Sequence, residues 1–200
     1  MPTKTKTKTK FQQLVKRIEG SNKAFAKASK AQKIVIVAKD VLDILAARRI
    51  KAVTGTYVSL EMIPRARLEG LKDMSELMKL PSLPACNVCA IGAAMFATTL
   101  RLDHVPIESY NSCSGPGFDD LSADYSEADS LGLTTDMSNR ARDIFPDALL
   151  RRMEYAFEEG EHGYNKKAAS GRLKDIYTNL VKNKGKKFTH RRTGEVVWEA

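Results

Sequence analysis

Apolar residues recur at helical spacing from Phe11 through Leu14 and Val15 to Ile18, and Gly20 stands where such a helix would stop. Residues 21–31 are rich in Ala and Lys and read as a second, weak helix or a linker. A longer amphipathic segment runs from about Ala31 to Arg49. Ile34, Val37, Ala38, Val41, Ile44 and Leu45 share one face there, while Lys33, Lys39, Asp40 and Asp43 fall elsewhere, which predicts a core helix. Thr54 to Leu60, β-branched and aromatic after Gly55, predicts a short strand. Helical spacing returns over 65–79 through Leu68, Leu71, Met74, Leu77 and Met78, and Pro81 and Pro84 end it.

The next predicted helix starts near Asn87, a plausible N-cap, and continues to about Arg101. Its Ala90, Gly92, Ala93, Ala94 and Ala97 allow close backbone approach, which marks it as the central buried helix. Residues 109–132 contain Ser, Gly, Pro and five carboxylates with few large apolar groups, and read as a long loop. Helical pattern resumes near Asp136. Pro146 suits the first turn of a further helix, with Leu149, Leu150, Met153, Ala156 and Phe157 inward and Gly160 closing it. Ser170 can cap a last helix carrying Leu173, Ile176, Tyr177 and Leu180, with Gly185 beyond its end. Lys187 to Trp198 alternates around Arg192-Thr193-Gly194 and predicts a small basic hairpin. The expected architecture is a predominantly α-helical α+β fold. It comprises a disordered arm over 1–10, a helical domain over 11–185 and a basic hairpin or tail over 186–200.

A chain of 200 residues, 42% of them hydrophobic, has the material for one real core. No window approaches the roughly 18 consecutive apolar residues a bilayer requires, and the first ten residues carry no apolar signal-peptide segment. The three cysteines, Cys86, Cys89 and Cys113, are too few and too clustered for a disulfide framework, so the expectation is a reducing cytoplasm and no membrane partner. Charge changes the picture more. The chain carries +9, yet residues 1–30 hold nine Lys or Arg against Glu19 alone, and residues 181–200 hold six against Glu195 and Glu199. The intervening 150 residues are therefore net −3. Basic ends on a weakly acidic body suggest an acidic partner, either nucleic acid or an acidic host protein, although solubilising tails have the same composition.

Candidate chemistry centres on Cys86-Asn87-Val88-Cys89. In the first turn of a helix, Cys89 would feel the positive end of the helix dipole, which favours a thiolate nucleophile. Such a nucleophile needs a base, and His104, His162 and His190 form no recognisable triad signature; the competing reading is a small buried hydrophobe among alanines. Cys86 and Cys89 could instead bind metal with His104 and Cys113, but a helix rising about 1.5 Å per residue carries His104 roughly 20 Å away. A thioredoxin-like pair lacks its βαβ setting. Asp119, Asp120, Asp124, Glu127 and Asp129 lack the spacing of a calcium loop, and Gly115-Pro116-Gly117 is followed by no Gly-Lys-Ser/Thr, so no cofactor is expected.

The basic ends make the best case for a partner. Lys4, Lys6, Lys8 and Lys10 could track phosphates as a flexible arm. Lys184, Lys186, Lys187, Arg191 and Arg192 stand near Phe188, His190 and Trp198, which could stack on bases or pack inward.

Three features together resemble a group of uncharacterised small proteins of bacteriophages and bacteria: the segment Val37 to Arg48, Thr54-Gly55-Thr56-Tyr57, and Cys86-Asn87-Val88-Cys89-Ala90-Ile91-Gly92-Ala93. Met153-Glu154-Tyr155-Ala156-Phe157-Glu158 and Asn179-Leu180-Val181-Lys182-Asn183-Lys184-Gly185 are similar to them as well. The resemblance spans roughly residues 35–185, implies a phage or bacterial context and supplies no catalytic residues. The expected role is a non-enzymatic, phage-type accessory protein that binds nucleic acid or a host macromolecule in the infected cell. The alternatives are an enzyme using Cys89 and a virion-associated structural protein.

Overall fold

The computed structural model describes residues 10–55, 58–59, 74–80, 85–102, 122–123, 133–160, 163 and 168–200. Helix α1 (Lys10–Gly20) buries Phe11, Leu14, Val15 and Ile18, the stripe its spacing predicts, and Lys10 is its first residue rather than part of an arm. The short α2 (Asn22–Lys27) buries only Phe25. Helix α3 (Lys30–Ala46) begins at a capping box, in which the Ser29 hydroxyl accepts from Gln32 N–H and Gln32 accepts from Ser29 N–H. It ends at Arg48, whose φ of +56° is left-handed, and Arg49 N–H donates back to the Ile44 carbonyl.

Three short strands follow around the next two helices: β1 (Ile50–Ala52), β2 (Val58–Ser59), α4 (Met74–Lys79), β3 (Cys86–Val88) and α5 (Ala90–Leu102). The pair β4 (Ser122–Ala123) and α6 (Leu133–Ile144) then leads to α7 (Asp147–Glu158), α8 (Ala169–Lys182), β5 (Lys187–Thr189) and β6 (Val196–Glu199). Four strands form a sheet in the order β1-β3-β2-β4. Strands β1 and β3 are parallel, with Ile50 opposite Cys86 and Ala52 opposite Val88; β2 runs antiparallel to both β3 and β4. The predominantly helical α+β class stands.

Helix α5 is the centre of the molecule, because every residue from Ala90 to Arg101 is buried and α3, α4, α6 and α7 all pack on it. A helix apolar on all sides is stable only where neighbours cover each face, and its alanines and glycine let those neighbours approach. Helix α3 packs on α5 with one face and on α8 with another. At one end of that second interface, Gly185 (φ +66°) presses its backbone onto Ala31 and Ile34. A Cβ there would collide with the Ala31 carbonyl oxygen and lie 3.1 Å from Ile34 Cβ.

Several element boundaries differ from the sequence expectation. The central helix does not start at Asn87: Cys86 and Val88 are drawn into β3, where Cys86 N–H donates to Arg49 O and Val53 N–H donates to Val88 O. Pairing with Ile50–Ala52, a strand that the helical pattern concealed, holds three residues extended that would otherwise open the helix. Thr54 and Gly55 form a turn and not the start of the predicted strand, Val58–Ser59 are extended as predicted, and residues 56, 57 and 60 lie outside the described residues. Pro146 sits at the N-cap of α7 instead of in its first turn. Ala168 precedes α8, so Ser170 lies inside the helix and does not cap it. Helix α6 begins three residues before Asp136. Of the long acidic segment only Ser122–Ala123 is described, and it pairs with β2. The expected hairpin is present, with Phe188 opposite Trp198 and a register shift beyond it.

Candidate functional site

The junction of β3 and α5 places Cys89 at the N-cap of the buried helix. Its carbonyl accepts from Ala93 N–H and its Sγ accepts from Gly92 N–H at 3.4 Å, so the thiol occupies the position a serine or threonine hydroxyl usually fills. Beside it the Tyr177 hydroxyl, fully buried on α8, donates to Ala90 O at 2.6 Å. Glu158 of α7 accepts from Gly55 N–H at 3.0 Å, and burial raises its carboxyl above the ordinary value.

The electrostatics of this junction oppose a thiolate. Burial pushes the Cys89 thiol up to about 12, the Gly92 and Ile91 amides pull it down, and the carboxylates of Glu158 and Glu154 push it up again. At neutral pH the buried thiol is therefore held in its protonated, non-nucleophilic form. Among the described residues, the charged groups acting on Cys89 are these carboxylates, with no histidine among them. His190 is on the hairpin, where its Nδ1 accepts from the Arg192 and Thr193 amides. His104 and His162 lie outside the described residues.

Cys86 and Cys89 have different surroundings. Cys86 is buried on β3, its thiol raised to about 12 by burial and lowered in part by Arg49, whereas Cys89 faces the start of α5. Both thiols are free, and among the described residues no group of three or more potential ligands is close enough to hold a metal ion. Cys113 lies outside the described residues, as do Asp119, Asp120, Asp124, Glu127 and Asp129.

The hairpin separates the basic candidates into two kinds. Lys187 pairs with Glu199 at 3.2 Å across the strands, and Arg191 pairs with Asp175 of α8 at 2.7 Å. Lys184, Lys186 and Arg192 are exposed and make no salt bridge among the described residues. Phe188 cannot stack on a base, because it is fully buried against the helices; Trp198 is half-buried on the same core. The inward face of a two-stranded ribbon must be apolar to hold it to the domain, and these aromatics supply that face. Of the arm candidates, Lys10 is exposed on α1, and Lys4, Lys6 and Lys8 lie outside the described residues.

A buried ionic cluster escaped the sequence reading, which set Asp40 on the polar side of its helix. Arg101 Nε and Nη2 both donate to Asp40 Oδ2, at 2.9 and 2.6 Å. Nη1 donates to Ser21 Oγ and Asn22 Oδ1, and the guanidinium stacks 4.7 Å from the centre of the Phe25 ring. Asn22 returns a bond to Arg101 O at 2.9 Å. The signal was available: Asp40 lies three residues after Val37 and four before Ile44, on the inward stripe, where a carboxylate needs a partner. A groove of about 380 Å³ opens beside the cluster between Ile36, Leu42, Lys39 and the Arg17–Asp43 pair. Arg17, Asp40, Asp43 and Arg101 of its lining are paired with one another. No described helix is long and apolar enough to cross a membrane. No protein-family model, curated protein or solved structure matches the chain.

Proposed function

We propose that this is a non-enzymatic accessory protein of phage type that acts by binding nucleic acid in the cytoplasm of the infected bacterial cell. The observation that carries the reading is the sorting of charge on the C-terminal segment. Lys184, Lys186 and Arg192 stand exposed and outside any salt bridge of the described residues, while Lys187 and Arg191 are held by Glu199 and Asp175. Lysines 4, 6 and 8 add positive charge near the other end of the sequence. The alternative of a cysteine enzyme is disfavoured by a Cys89 thiol raised to about 12. Phosphate neutralisation releases condensed counterions, so affinity should fall steeply as salt rises. The test is a titration of the intact protein against duplex and single-stranded DNA and RNA at several salt concentrations. Replacing Lys4, Lys6 and Lys8 by Gln should reduce the salt slope by up to about three contacts. Absence of binding to every one of these ligands at low salt refutes the reading.

A further inference from the structure

We infer that the nucleic-acid contact surface is the corner where the start of α3 meets the turn after α8, with Lys27, Lys30, Lys184 and Lys186 tracking the phosphodiester backbone. This rests on the nucleic-acid reading and adds to it a place and two residues, Lys27 and Lys30, that composition does not single out.

The corner is assembled by one backbone contact. Gly185 packs onto Ala31 and Ile34 so closely that no side chain fits between them. Lys184 and Lys186 flank Gly185, and Lys30 flanks Ala31, so each is one Cα step, about 3.8 Å, from that contact. Lys27 ends α2 immediately before the extended residues Ala28 and Ser29 that lead into α3. All four lysines are exposed and none makes a salt bridge among the described residues. Lys30, Lys184 and Lys186 are thus chain neighbours of one tight backbone contact, and Lys27 is three residues before Lys30, so their charges act together on a ligand at that corner.

Two carboxylates of the neighbouring elements are engaged. Glu199 is held by Lys187 and Asp175 by Arg191. On α3 the nearest acids are Asp40 and Asp43, ten or more residues beyond Lys30 and hence about 15–20 Å along the helix. The surface is also rigid, since the capping box fixes the start of α3, and Gly185 N–H donates to Leu180 O while Ala200 N–H donates to Lys186 O. A rigid row of cations from two chain segments suits a repeating polyanion. Phe188 is buried and Trp198 packs on the core with part of its surface covered, so the lysines dominate the exposed corner and recognition should be chiefly of backbone.

The experiment compares intact protein with a Lys27→Gln, Lys30→Gln, Lys184→Gln, Lys186→Gln variant, using a mixed-sequence DNA duplex and a single strand. A thermal melt verifies that the variant remains folded. Each lost phosphate contact removes about 0.9 from the slope of log K against log salt for duplex and about 0.7 for a single strand. The variant should therefore lose about three units of slope and on the order of a thousandfold affinity at 0.1 M salt. A Lys187→Gln, Arg191→Gln control, whose charges are already paired, should lose less than one unit. If the parent binds and the quadruple variant keeps its slope, the corner is overturned while the nucleic-acid reading survives. If the parent binds no nucleic acid, both fall. Equal affinity for poly-glutamate would transfer the surface to an acidic protein and also overturn the inference.

Discussion

Replacing Arg101 by Met tests how α1 and α2 are held to the body of the protein. The guanidinium is 2% exposed and its partner Asp40 4%, so the substitution removes two hydrogen bonds to Asp40 and two more to Ser21 and Asn22, and leaves a carboxylate in a site that water barely reaches. Loss of one member of a buried ion pair costs about 3–5 kcal/mol, most of it from the charge left behind. For a chain of this size that corresponds to a fall of about 6–20 °C in Tm. Arg17, 3.6 Å from Asp40, is itself 57% exposed and recovers little of the loss because solvent screens it.

The double variant Asp40→Ala, Arg101→Met removes both charges and should be more stable than Arg101→Met alone, since an empty apolar site is less costly than an orphan carboxylate. The pH dependence follows from the sign of the Asp40 shift. Burial raises its carboxyl above 3.8 even with Arg101 and Arg17 pulling it down. Without Arg101 it rises further, so the folded variant binds a proton more readily than the unfolded chain does, and its deficit relative to the parent should shrink as pH falls from 7 to 5. Urea unfolding of the parent, both single variants and the double variant at these two pH values reads the whole cycle. Additive losses, with a coupling within about 0.5 kcal/mol of zero, would refute the ion-pair account.

Two further perturbations probe other parts of the fold. Because Cys86 and Cys89 are raised from 9.0 to about 12, ionisation above pH 9 favours the unfolded chain. Stability should be insensitive to these thiols below pH 9, then fall by up to about 1.4 kcal/mol per pH unit for each. Cys89→Ala should flatten the slope between pH 9 and 10 in denaturant titrations, and equal slopes in parent and variant would contradict the burial of the thiol. Gly185→Ala places a methyl group on the Ala31 carbonyl and forces a left-handed φ of +66° on alanine, which should cost about 2 kcal/mol or more. Calorimetry showing an unchanged Tm would mean that α3 and α8 do not meet there.

Helical stripes such as Leu149, Leu150, Met153, Ala156 and Phe157 were legible because a period of 3.6 is repeated several times along one element. The small-residue helix was legible for the same reason, since alanines and a glycine between Ile91, Met95 and Phe96 make sense only under close packing. Strand β1 was not, because Ile50–Ala52 is three residues long and becomes extended only through its partner Cys86–Val88, 36 positions later. The same pairing shifted the helix start from Asn87 and turned Cys89 from a first-turn residue into the cap. For the candidate site, the sign and location of the charge were readable, but its neutralisation was not. That Lys187 and Arg191 are paired depends on Glu199 and Asp175, and that Lys30 lies near Lys184 depends on the packing of α3 against α8.

The corner lysines carry a consequence for stability that separates function from solubility. Four like charges gathered around the Gly185–Ala31 contact repel one another in the folded state and less so in the expanded unfolded chain, so the fold tolerates them at a small cost. Sites kept for binding commonly show this opposition, in which neutralisation stabilises while activity is lost. The Lys27→Gln, Lys30→Gln, Lys184→Gln, Lys186→Gln variant should accordingly melt slightly above the parent at low salt, by about 1–3 °C for a gain of up to about 1 kcal/mol. The gain should vanish at 0.5 M salt, where the Debye length falls to about 4 Å. A variant that instead melts lower at low salt would show that these lysines meet partners within the protein, and the charge sorting on which the binding surface rests would be wrong.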